Sequence, residues 1–251
     1  MHRKNGPDKA FYFKQFHIQH DRCAMKVGTD GVLLGAWTDV ANKKKILDIG
    51  TGTGLIAIML AQRTVTKAKI EAVEINKEAF EQACDNVLSS PWPNKINVIH
   101  SAIQHFESKE GYDLIVCNPP YFVNSLKPTD KGRTQSRHAS DLTFEELVNS
   151  AKRLLAPAGA LNIVLPPTEA SSFIILAAKS GLYLTRKCHI RFKPSKPIER
   201  YLCEFRSDKP SADGAMELSM QTESGAWSMP YLEIVSPFYP WANQNSGQLS
   251  F

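Results

Sequence analysis

The stretch ILDIGTGTG, residues 46–54, constrains the fold more than any other part of the chain. A short apolar run, KKKILD, enters a cluster of glycines, and LIAIMLAQR follows with the continuous apolar character of a buried helix. Glycine admits the positive torsions of a sharp strand-to-helix turn and lets another group approach the main chain. The rest of the chain repeats the same alternation. KIEAVEIN, NKINVIHSAI, YDLIVCNPP and ALNIVLP read as strands, and KEAFEQACDNVLSS, TFEELVNSAKRLLAPAG and TEASSFIILAAKSG read as the helices between them. LYLTRKCHIRF and RYLCEFRS add two further strands. Pro91 and Pro93 end one helix. Thr143 with Glu146 is a capping-box pattern at the start of the next, and Pro157 with Gly159 is expected to close it. Strands that are apolar throughout are buried on both faces. The expectation is a doubly wound α/β fold with a mostly parallel sheet.

A chain of 251 residues suits one such domain. We divide it into an N-terminal segment (1–42), a core (43–206) and a C-terminal extension (207–251), in which only the loop SDKPSADG is legible. Five cysteines without a C-x-x-C pair fit a reducing compartment, and no metal site is expected. The N-terminus lacks the apolar core of a signal peptide, and LIAIMLA is too short to span a bilayer. A cytoplasmic protein without membrane contact is expected. No dimer signature is visible, so a monomer is expected. The formal net charge of +5 points only mildly to a polyanionic partner.

Asp48, Gly50, Thr51, Gly52 and Gly54 close the first core strand, and a helix N-terminus with free N–H groups follows. Dinucleotide folds use G-x-G-x-x-G there, whereas the spacing here is G-x-G-x-G. Glu74, followed by Ile75, closes the next strand, where a carboxylate can accept from both hydroxyls of a ribose. The glycines alone could serve only the turn; the acid after the next strand argues for a ligand. The combination resembles the S-adenosylmethionine site of class I methyltransferases. That resemblance implies a Rossmann-like, seven-stranded sheet with a final antiparallel strand and S-adenosylmethionine as cofactor. It places Asp48 and the glycines along the methionine end and Glu74 with Ile75 at the ribose. Families of this type usually carry an Asp beside the cofactor adenine. Ala102 stands there in this chain, which leaves only the main chain of Ala102 and Ile103 for that contact.

The fourth core strand ends in Asn118-Pro119-Pro120-Tyr121. An amine conjugated to a ring is a poor nucleophile because its lone pair is delocalised. Two acceptors on its N–H bonds aim that lone pair. The Asn118 amide carbonyl can be one acceptor and the Pro119 main-chain carbonyl the other, fixed by prolines that offer no competing N–H. Tyr121 can stack on a planar substrate. The arrangement resembles the N-P-P-Y motif of amino-methyltransferases.

MKVGTDGVLLGAW, NVLSSPWPNKINV and NPPYF, with the glycine loop, resemble in order and spacing the tRNA(Val) adenine-N6 methyltransferases. That resemblance implies methyl transfer to an adenine amine of tRNA next to the anticodon, with Lys26, Gly28, Thr29 and Asp30 flanking the cofactor's methionine moiety. Thr29 and Asp30 could instead cap the following helix, and the sequence leaves Asp30 open between the two. Lys127, Lys131, Arg133 and Arg137 follow the catalytic motif and suit RNA phosphates, with a solvated loop as the alternative, and His138 could stack on or bond the RNA or have no role. A second basic run, with Arg186, Lys187, Arg191, Lys193, Lys196 and Arg200, reads equally as an exposed strand edge. A glutamine-amide methyltransferase would use the same catalytic motif but usually carries an N-terminal helical domain, for which residues 1–42 are too few. A non-catalytic RNA-binding module would have lost Asn118 or a loop glycine.

Overall fold

The computed structural model describes residues 10–65, 67–120, 142–209 and 215–243. A hairpin of β1 (Ala10–Tyr12) and β2 (His17–Gln19) leads to α1 (Thr29–Trp37). The core then runs β3 (Lys45–Ile49), α2 (Leu55–Arg63), β4 (Lys69–Glu74), α3 (Lys77–Ser89), β5 (Ile96–His100) and β6 (Tyr112–Cys117). Next come α4 (Phe144–Leu154), β7 (Leu155–Leu165), α5 (Pro167–Lys179), β8 (Tyr183–Arg191) and β9 (Ile198–Arg206). β10 (Ala215–Ser219), α6 (Met229–Val235) and a 3-10 turn (Pro240–Asn243) complete the described chain.

The large sheet has the order β10-β8-β9-β7-β6-β3-β4-β5. β9 runs antiparallel between β7 and β8, and the remaining pairings are parallel. Strand order reverses at β3, which has β4 on one side and β6 on the other. The loops after β3 and β6 therefore open a crevice between them, where open α/β sheets bind ligands. One face of the sheet carries α1, α2, Val87 of α3, the hairpin and α6; the other carries α4 and α5. Among the described residues no helix is long and apolar enough to cross a membrane.

Two expectations need correction. The sheet has eight strands rather than seven, because β10 pairs in parallel on the outer edge of β8. Only Leu218 of β10 is buried, so the strand carries no apolar run that a sequence could reveal. The capping box of Thr143 and Glu146 starts α4 as expected, but the helix ends at Leu154, and Leu155 already belongs to β7. Pairing with β6 jumps from Tyr112↔Leu155 to Leu114↔Ala160, so Pro157 and Gly159 sit in an irregular stretch of strand.

Candidate active site

The glycine loop is held from three sides. Gly50 N and Thr51 N donate to Val73 O at 2.9 and 3.1 Å. Gly52 N donates to Glu74 Oε2 at 2.8 Å, and Asn76 N donates to Glu74 Oε1 at 2.9 Å. Gly50 and Gly52 have φ of +66° and +56°, and a Cβ on either would meet nothing within 4 Å. Both glycines thus leave an open cradle, and Gly50, Thr51, Gly52 and Glu74 line a cavity of about 940 Å³.

Asp48 lies behind this loop and is 1% exposed; neither it nor Gly54 lines the cavity. Its Oδ2 accepts from Thr51 Oγ1 at 2.6 Å and from Ala57 N at 3.2 Å. The second bond caps α2, whose N-cap residue Gly54 has no side chain to do so. Asp48 Oδ1 is buried with no partner among the described residues. Burial pushes the carboxyl up to about 7, and nearby Glu74 adds to the rise, against the Thr51 and Ala57 bonds.

Ile75, Ala102 and Ile103 line the cavity beyond Glu74. Ala102 O already accepts from Ser101 Oγ and His105 N, and Ile103 O accepts from Arg153 Nη2 of α4. The Ala102 and Ile103 N–H groups have no partner among the described residues, which suits the ring nitrogens of a purine. Cys117, Asn118, Pro119 and Pro120 line the same cavity. Gly31 of α1 stands close by: a Cβ there would lie 3.3 Å from Leu55 and 4.0 Å from the Asn118 amide nitrogen. Tyr121, Lys127, Lys131, Arg133, Arg137 and His138 lie outside the described residues.

Lys26, Gly28, Thr29 and Asp30 all line the cavity. Gly28, not Thr29 or Asp30, is the N-cap of α1. Asp30 Oδ2 accepts instead from Arg200 Nε at 2.9 Å. Arg200 also lines the cavity, together with Ile190, Phe192 and Met220 from the far end of the sheet. The sequence reading missed these apolar residues, because only the pairing of β8, β9 and β10 brings them to the crevice. Cys23 was missed too; burial and Glu74 push its thiol up to about 11.

The second basic run is largely engaged within the protein. Arg186 stacks on Trp37 with its guanidinium carbon 3.8 Å from the ring centre and pairs with Glu204 at 3.3 Å. Arg191 pairs with Glu217 at 3.5 Å and donates to Lys196 O at 2.9 Å. Lys187 lies 5.2 Å over Tyr201. Strand alternation turns Arg186 inward, where it supplies a charge to its neighbours rather than to solvent.

Comparisons agree with this geometry. The family model of the methyltransferase small domain matches residues 25–179. The chain is 46% identical over 235 residues to a tRNA1(Val) (adenine(37)-N6)-methyltransferase of Phocaeicola vulgatus, covering 93% of this chain and 98% of the relative. It is 44% identical to the protein of the same name from Tolumonas auensis, covering 92% and 96%. In fold it is similar to a predicted O-methyltransferase of Agrobacterium tumefaciens, with a TM-score of 0.63, 21% identity and coverage of 83% and 96%.

Proposed function

The chain belongs to the family of tRNA1(Val) (adenine(37)-N6)-methyltransferases, built on the methyltransferase small domain, and from that membership we propose that it methylates the exocyclic N6 amine of an adenine next to the anticodon of a valine tRNA. The observation that carries the reading is the position of Asn118, Pro119 and Pro120, at the end of β6 and on the same cavity as the open glycine cradle. When bound, S-adenosylmethionine supplies an electrophilic methyl group on a sulfonium. Gly50, Thr51 and Gly52, with Lys26, Gly28 and Thr29 opposite, would hold its methionyl end. Glu74 would accept from its ribose hydroxyls, with Ile75 and the N–H groups of Ala102 and Ile103 at its base. Asp48 and Gly54 shape the loop from behind.

Asn118 Oδ1 and Pro119 O accept the two hydrogens of the substrate amine and draw its nitrogen toward tetrahedral geometry. The lone pair then points along one direction, and orientation carries most of the rate gain. The nitrogen, cationic once alkylated, loses a proton to water without a strong base. Tyr121 stacks on the flipped base. Lys127, Lys131, Arg133 and Arg137 would meet phosphates of the RNA, and His138 would stack on or bond it. A cytoplasmic monomer acting without a metal belongs to the same reading, because tRNA is its substrate and neither the binding of the amine nor the loss of the proton calls for a metal.

The test is transfer of labelled methyl from S-adenosylmethionine to bulk tRNA, followed by nucleoside analysis. The label should appear as N6-methyladenosine. Asn118→Ala should lower turnover by about a hundredfold to a thousandfold, the usual loss when a donor-acceptor contact to the transition state is removed, while cofactor affinity stays unchanged. Label in any other nucleoside, or wild-type turnover in Asn118→Ala at saturating substrates, would reject the assignment.

A further inference from the structure

Residues 23–29 form a strap along the cavity. Ala24, Met25, Lys26, Gly28 and Thr29 line it and are exposed. Cys23 to Val27 make no backbone–backbone hydrogen bond to any described residue. Val27 packs against the core, so the polar ties of the strap lie at its ends, and the two ends differ in kind.

Ahead of it, α3 provides a dense anchor. Gln19 N donates to Asn86 Oδ1 at 2.9 Å, Arg22 N to Gln82 Oε1 at 2.8 Å, and Gln82 Nε2 to Asp21 Oδ1 at 2.8 Å. Gln82 and Asn86 are 0% and 2% exposed, so this anchor is sheltered from water. Arg22 also pairs with Asp85. Behind the strap stands the first turn of α1, whose N-cap Gly28 makes no side-chain cap and whose Val32 N–H reaches Gly28 O only at 3.3 Å. The other end of α1 is firmly held: Arg63 donates to Gly35 O and Thr38 O at 2.7 Å, and Arg186 donates to Trp37 O at 3.3 Å. What braces the uncapped first turn is the Asp30–Arg200 pair, with side chains 21% and 31% exposed. An acid in the first turn also complements the helix dipole.

We propose that Arg200 is a positioning residue for the cofactor. It acts through Asp30 to hold the first turn of α1 in place, and so keeps the strap 23–29 closed along the cavity. Arg200 sits on β9 and lines the cavity, so the pair ties the first turn of α1 to that wall. Without it the first turn loses this charged tie and the strap moves more freely at that end. A partly exposed pair is also weakened by salt, whereas the bonds from the Gln19 and Arg22 main chain to the Asn86 and Gln82 amides are not. The inference rests on reading the cavity as the S-adenosylmethionine site.

The test uses the full chain and two readouts. Amide hydrogen exchange of the ligand-free protein should speed up over residues 23–32 in Arg200→Ala, with residues 17–22 unchanged. Calorimetry with S-adenosylmethionine should show roughly tenfold weaker binding, within the range for losing a charge-assisted bond. Added salt should weaken binding more steeply in the wild type than in Arg200→Ala. Arg200→Lys should recover part of the affinity, which a purely steric role for the side chain would not predict. Asp30→Asn should cost less when added to Arg200→Ala than it costs in the wild type. Wild-type affinity together with wild-type exchange in Arg200→Ala overturns the proposal. So does a variant that keeps cofactor affinity and loses only tRNA binding, since Arg200 would then be a phosphate ligand. Failure of the wild-type chain to bind S-adenosylmethionine would instead overturn the reading of the cavity.

Discussion

Asp48 carries two duties that pull its carboxyl in opposite directions. Thr51 and Ala57 favour the charged form through Oδ2, while burial and the unpartnered Oδ1 oppose it, and the outcome lies at about 7. An unfolded chain releases this proton near pH ~3.9. Between about pH 4 and pH 7 the folded protein therefore holds a proton that the unfolded chain has lost. The stability this contributes is complete below about pH 4 and is lost as pH rises through about 7. Asp48→Asn keeps an acceptor for Thr51 and Ala57 but cannot titrate. Thermal unfolding of the ligand-free variant should vary less with pH over that window than the wild type. Parallel curves would mean that Asp48 is ionised throughout. Binding of the cofactor brings a sulfonium and an ammonium nearby, so it should expel the proton near neutral pH, seen as a binding heat that depends on the buffer. The motif puts Asp48 along the ligand, whereas in the fold it lies behind the loop and does not line the cavity. Strand parity could have corrected this, because Asp48 shares the face of Ile46, which packs beneath α1 and α2.

Elements were most legible where local signals agreed. The capping box of Thr143 and Glu146 started α4 on the expected residue, and Asn76 caps α3 through Ala79 N at 2.9 Å. The end of α4 was misread because Leu155 and Ala156 favour helix, and pairing with β6 overrides that preference. Gly159 marks where the override is enforced. A Cβ on it would stand 2.5 Å from Tyr112 O and 3.0 Å from Ala156 O, both main-chain atoms that cannot step aside. Gly159→Ala should therefore lower stability by about 1–3 kcal/mol, as overpacking in a fixed core does. Urea unfolding checks it, and an unchanged midpoint would mean that the irregular stretch yields freely. The same pairing sets the height of β6 against β7, and with it where Asn118 emerges. The variant should lose turnover as well as stability.

Across the whole molecule, the parallel sheet and its crevice were readable because each βα unit announces itself within a few residues. The tail was not, because its apolar residues find partners only at the other end of the chain. Tyr231, Leu232, Val235 and Phe238 join the core with Phe13, Phe16 and α1. Trp227, Trp241, Tyr239 and Phe13 stack in sequence at ring-centre distances of 5.0, 4.9 and 5.7 Å. Lys14 N donates to Phe238 O at 2.8 Å. A chain cut after Ser228 should melt at a lower temperature, bind a hydrophobic dye on the uncovered face of α1, and hold the cofactor less tightly. A cut chain with the wild-type melting temperature would show that α6 is an appendage. This stacking also bears on biosynthesis. Phe11 and Phe13 are made before their ring partner Tyr239, which emerges only after every βα unit has been made. A nascent chain can display a finished glycine loop while the segment leading to the strap still lacks its support from the tail. Contacts so distant in sequence form late. Competence to take up the cofactor should thus arrive in one step once residues 227–242 have emerged, and a chain stalled before them should be unable to imitate the enzyme.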